Sequence, residues 1–204
     1  MILESVRPMP ASSRRVTAQD ILPDADYARE RKARRAALMP AKRLRRVALG
    51  PYGVFIFESY DTMLFQIQEM LLVEKGGAAQ REDELAAYNP LIPQGRELVA
   101  TVMFEIDGPV RRAEILGQLG GVEEHFFLQI DATRVAGVPE GDIDRTRDGK
   151  TSSVHFLRFP LTDDDAAAFG DPARVVMLGC DHPRYGHIAI LSQQVRAELA
   201  KDLA

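Results

Sequence analysis

An α+β fold, with a curved, mainly antiparallel sheet of six to seven strands packed with four to five helices, is what this 204-residue chain predicts. Three observations point there. Short apolar runs recur between turn signals, the links joining them are mostly too short for parallel crossovers, and the helical stretches interrupt groups of strands instead of following each strand. A single domain over residues 17–204 is expected, preceded by a disordered or draped extension over residues 1–16 that is rich in proline and serine.

A turn at Ile21 to Pro23 leads into a basic helical segment over residues 24–46, with a helix from about Asp24 to Leu38 that Pro40 ends. The stretch RRVALGPYGVFIFES reads as two short strands around Gly50-Pro51-Tyr52-Gly53. SYDTMLFQIQEMLLVEKGG is the clearest helix, with Ser59 or Asp61 as N-cap and Gly76-Gly77 as the stop. Its apolar residues span about 220° of the circumference, so it is expected to be nearly enclosed. Gln68 falls within that arc, where a buried amide needs a backbone or polar partner.

REDELAAYNPLIPQGREL gives a short helix and a proline-bounded loop, and ELVATVMFEI a strand. PVRRAEILGQLGG is a helix, EHFFLQI and TRVAGV are strands, and PEGDIDRTRDG is a polar loop. SSVHFLRFPL is a strand in which His155 and Arg158 take opposite faces. TDDDAAAFG is a helix capped by Thr162, ARVVMLGC and GHIAILS are strands, and SQQVRAELAKDLA is a closing helix.

Composition narrows the classes of function. With no apolar run near ~20 residues and no signal-peptide pattern, a soluble cytoplasmic protein is expected. Cys180, the single cysteine, excludes an intrachain disulfide. The net charge of −4 conceals an asymmetry of +7 over residues 1–46 against −11 over residues 47–204. The dense run Arg29 to Arg46 is read as lying across the acidic body of its own chain or of a second copy; nucleic-acid binding is the minor alternative, since no aromatic or recognition-helix pattern accompanies the charge. Dinucleotide-binding, phosphate-loop, nucleophile-elbow and His-Glu-x-x-His signatures are absent.

Four phrases in order, DTMLFQIQEML, YNPLIP, KTSSVHFLRFPL and DHPRY, resemble an uncharacterised bacterial family catalogued only as a domain of unknown function. The resemblance runs from about Thr17 to the C-terminus and covers Asp61, Gln66, Gln68, Glu69, Tyr88, Asn89, Pro90, His155, Arg158, Asp181, His182 and Pro183. Members are often encoded near rubrerythrin-like and iron–sulfur oxidoreductase proteins, which implies work beside redox or peroxide metabolism.

Two readings follow, and whether the chain is an enzyme stays open, as do its cofactors. The preferred one is an accessory protein binding a small anionic ligand or a redox protein partner, with Gln66, Glu69, His155, Arg158 and His182 lining the cleft and Glu69 the internal partner of Arg158. The alternative is a metal-assisted enzyme using His155, Asp181 and His182, with Glu69 as general base. Cys180, His182 and His187 form a weaker ligand set. A homo-oligomer is compatible with either reading, and no membrane partner is expected.

Overall fold

A computed structural model describes residues 14–140, 146–147 and 150–203, so residues 1–13 of the expected extension and most of the expected polar loop lie outside the described residues. The α+β class and the antiparallel pairing are found as predicted, with the strands divided between two sheets. In chain order come α1 (Asp24–Leu44), β1 (Arg46–Leu49), β2 (Gly53–Phe57), α2 (Tyr60–Glu74), α3 (Gly77–Tyr88), β3 (Glu97–Phe104) and α4 (Pro109–Leu116). There follow β4 (Phe126–Ile130), β5 (Thr133–Ala136), β6 (Val138–Pro139), β7 (Thr146–Arg147), β8 (Lys150–Thr151), β9 (Val154–Pro160), α5 (Asp163–Gly170), β10 (Val176–His182), β11 (Tyr185–Ile190) and α6 (Gln193–Leu199).

One sheet has the order β1-β2-β3-β9-β6, the other β11-β10-β4-β5, and among the described residues β7 pairs with β8 alone. Every paired register is antiparallel. Alternation sends Phe55, Phe57, Leu157 and Phe159 into the space between the sheets, where they meet Phe126, Leu128, Val176 and Leu178. Phe55 and Phe126 pack edge to face at 5.1 Å. On the outer face of the second sheet Gly179 is required, because a Cβ would stand 2.2 Å from the ring of its register partner Phe127. The opposite face of the first sheet carries α2, whose Met63, Ile67 and Leu71 bury against Val99 with Phe156 beside them.

The Tyr185 hydroxyl ties the two sheet edges together. It donates to Leu49 O at 2.6 Å and accepts from Gly53 N at 2.6 Å and Tyr52 N at 3.2 Å. Arg45 is the matching polar hub at the end of α1. Only 3% exposed, it reaches Asp202 at 2.7 Å and Glu198 at 3.1 Å and donates to Glu58 O.

Three local expectations change. Pro40 lies inside α1, which continues to Leu44. The carbonyl that its missing N–H would have met belongs to Ala36 on the exposed face, where water can satisfy it, while Arg45 anchors the far end. The left-handed residue that stops α2 is Lys75 (φ 55°), whereas Gly76 has φ −79°. Ser59 caps α2 in a capping box with Thr62. Finally, α2 is less enclosed than its apolar arc suggests: Leu64, Phe65, Met70 and Leu72 are half-buried and Val73 is exposed.

Order extends into the expected extension. Val16 is buried against α2, and the Asn89 amide grips its backbone on both sides, accepting from Val16 N at 2.7 Å and donating to Val16 O at 3.0 Å.

Candidate functional site

The five residues expected to share a cleft occupy three different surroundings. Gln66 and Glu69 lie on α2, on the outer face of the first sheet. Gln66 turns toward α3, within 3.5 Å of the Tyr88 hydroxyl. Glu69 turns toward α1, where it accepts from Tyr27 at 2.7 Å and from Arg31 at 2.8 and 2.7 Å. The Arg31 guanidinium holds the Glu69 carboxyl below the usual carboxylate range. Arg158 shares the outer sheet face but pairs with Glu97 at 2.7 Å and donates to Pro90 O, so Glu97 takes the place expected of Glu69. Glu97 sits two positions from direct register with Arg158, on the adjacent strand.

His155 and His182 face the space between the sheets and converge on one turn, the helical turn Val122–His125 and the glycines before it. His155 is wholly enclosed, with Nε2 donating to Ser152 O at 2.9 Å beside the Thr151 hydroxyl at 3.1 Å. Thr151 donates to Glu123 Oε2 at 3.3 Å, and that oxygen stands 3.9 Å from His155 Nδ1. His182 spans its surroundings with both ring nitrogens: Nε2 donates to Gly120 O at 3.3 Å and Nδ1 accepts from Arg184 N at 3.2 Å. These bonds fix its neutral tautomer. Burial accordingly holds its imidazole below the ordinary histidine range.

Asp181 does not join them. Alternation turns it outward, where it pairs with Arg134 at 2.6 Å and His125 at 2.9 Å. Cys180 and His187 are direct register partners across β10 and β11, yet the His187 ring packs edge to face against Tyr185 at 4.6 Å and lies beside Gly50. Cys180 is buried, which pushes its thiol up to about 11. Among the described residues no three His, Cys, Asp or Glu side chains gather as metal ligands.

An apolar-walled groove lies elsewhere, between α1 and α2. These helices run antiparallel: Tyr27 near the start of α1 bonds Glu69 near the end of α2, and Lys42 near the end of α1 lies 5.3 Å over Phe65. At 100° per residue, Gln66 and Met70 face α3, whereas Asp61, Leu64, Phe65 and Gln68 face α1. Gln68 holds the chain entering α1, accepting from Leu22 N at 2.7 Å and donating to Leu22 O at 3.3 Å, the backbone tie its position required.

Across from that face α1 presents Ala37 and Ala41, whose methyl groups do not fill the space. An open groove of about 210 Å³ results, with Ala37, Leu38, Ala41, Leu64 and Phe65 as its apolar walls. Its two charged residues are Arg34 and Asp61. Among the described residues the salt bridge of Arg34 is to Glu30, one turn back, through Nε and Nη2 at 2.8 Å in a partly exposed pair worth ~0–1 kcal/mol, so its guanidinium retains donors for a ligand. Sequence reading missed this site because charge drew attention to α1's arginines. The signal was the i, i+4 pair of alanines on the same helix.

No helix among the described residues is long and apolar enough to cross a membrane. A search of curated proteins finds no match. A crystal structure of a novel protein of unknown function from Burkholderia pseudomallei K96243 is similar throughout, at 35% identity and a TM-score of 0.85 over 93% of this chain and 99% of the other. The family model described as "Protein of unknown function (DUF3501)" matches residues 15–203, the span over which the four phrases resemble such a family, and the chain belongs to that family.

Proposed function

We propose that the protein is an accessory binding module that holds a small amphipathic anion in the groove between α1 and α2. The observation that carries this reading is the groove itself: five apolar residues form its walls and a weakly engaged arginine stands beside them. Small-ligand sites combine apolar walls with a few polar groups that orient the ligand. At about 210 Å³ the space lies below the ~300–1,000 Å³ of drug-sized pockets and suits a short carboxylate. Arg34 would take the anionic head. Asp61, near the start of α2 and hence at the opposite end of the antiparallel pair, would repel it and so set the direction of binding.

The redox setting implied by the family resemblance fits an accessory role better than thiol chemistry in this chain. Cys180 is buried and its thiol is raised, so little thiolate is available to react.

Titration calorimetry with octanoate, octanol and octylamine against the intact protein tests the proposal. Octanoate is expected to bind about tenfold more tightly than octanol, the equivalent of one charge-assisted bond of ~1.5 kcal/mol. Arg34→Ala should erase that difference, and Ala41→Phe, which fills the groove, should abolish binding of both. Octanoate affinity unchanged in both variants, or no binding to the unaltered protein, would overturn the assignment.

A further inference from the structure

The two helices flanking α2 bury little and carry opposite charge. Of the 21 residues of α1 only Tyr27 is buried, and of the 12 residues of α3 none is. A helix in a globular protein draws most of its stability from packing a face, so two such helices, one on each side of α2, leave surface for a further partner. In α1, seven Lys or Arg face three Asp or Glu; α3 carries Arg81 against Glu82, Asp83 and Glu84.

Much of the basic charge is used within the chain. Arg31 pairs with Glu69, Arg45 with Glu198 and Asp202, Arg46 with Glu105, and Arg29 and Arg34 with Asp26 and Glu30. Lys32, Arg35 and Arg43 are exposed and have no salt bridge among the described residues. They fall within about 80° of one helical face. Exposed Ala28 shares that face, and half-buried Met39 stands on it between Arg35 and Arg43. Glu82 and Asp83 are likewise exposed and without a salt bridge among the described residues.

We infer that this basic face of α1 docks on the acidic α3 of a second copy of the chain. Repulsion forbids α1 from meeting α1, while α1 on α3 is attractive. Because both helices flank α2 in each copy, a two-fold axis makes the contact twice, as self-complementary dimer interfaces require. Nucleic acid fits less well, since Asp24, Asp26 and Glu30 on α1 would repel phosphates and three of its seven cations already have carboxylate partners.

Analytical ultracentrifugation of the full chain, without ligand or nucleic acid, tests this contact separately from the groove. A dimer is expected at about 20 mM salt, dissociating to monomer at about 0.5 M, where surface charge is screened. A Lys32→Glu/Arg35→Glu/Arg43→Glu variant and a Glu82→Lys/Asp83→Lys variant should each be monomeric at low salt. Mixed together they should form a one-to-one pair, because one contact is then restored with its signs exchanged and the other is the native basic α1 on acidic α3; circular dichroism checks that each is folded. A monomer at every salt concentration, a dimer indifferent to salt or to either variant, or folded variants that fail to pair on mixing would overturn the inference.

Discussion

Between the two sheets Phe55 meets Phe126 at 5.1 Å, and even His155 is sealed in with Nε2 bonded to Ser152 O. Between α1 and α2, by contrast, about 210 Å³ stays open beside Arg34, and α1 is held by Tyr27, Arg31 and the Gln68 amide. His155, marked by the sequence as unusual in a strand, serves to close the sandwich, while Arg158 on the same strand is tied down by Glu97 on the outer face. The polar side chains that mark the helices leave capacity unused. In this chain chemical availability resides in the helical layer, and the sandwich is the rigid support against which that layer is set.

Substitutions that attack the sandwich and its hub should have the largest effect. Arg45→Ala leaves Glu198 and Asp202 buried without their cation and is expected to destabilise the fold by ~3–5 kcal/mol, measured by urea denaturation. A loss below about 1 kcal/mol would mean that the two carboxylates find water or shed their charge. Next comes Tyr185→Phe, which strands Leu49 O and Gly53 N at the joined edges and should cost ~1–3 kcal/mol by the same measurement.

A pH effect should follow from His182. Its folded-state pKa is depressed by burial, so the fold favours the neutral ring. That stability is fully present above the unfolded histidine value of ~6.5 and is lost as pH falls through the lower folded value, when a proton on Nδ1 displaces the Arg184 N–H. Between pH 7 and pH 5 the unaltered protein should lose more stability than His182→Asn; equal losses would assign the acid sensitivity to other groups. The smallest effect belongs to the helical layer: Glu69→Gln should cost about 1 kcal/mol or less, yet raise amide exchange selectively in α1. Uniform change across both regions would erase the distinction between them.

Much of this division was legible in the sequence. Period-two alternation placed His155 and Arg158 on opposite faces, and the capping residues Ser59 and Thr162 marked the starts of α2 and α5. The position of Gln68 in an apolar arc predicted its backbone tie. What failed was long-range pairing. Nothing local states that Arg158 meets Glu97 or that Glu69 meets Arg31, because either arginine could satisfy either carboxylate and only the packing of α1 on α2 decides. The division of the strands between two sheets was hidden for a similar reason, since the chain crosses between them through the short Gly137 link from β5 to β6. The groove was hard to see because it arises from side chains that are small, and two alanines announce themselves less than the five arginines of the same helix.

The most direct test of the central claim is a titration of isotope-labelled protein with octanoate, followed by amide and methyl resonances. The account predicts saturable shifts in Ala37, Leu38, Ala41 and Leu64, with the strands between the sheets unmoved and the response absent in Ala41→Phe. Shifts centred instead on the turn at Gly120 to His125, or none at all at saturating octanoate, would contradict it and return the search for function to the histidines.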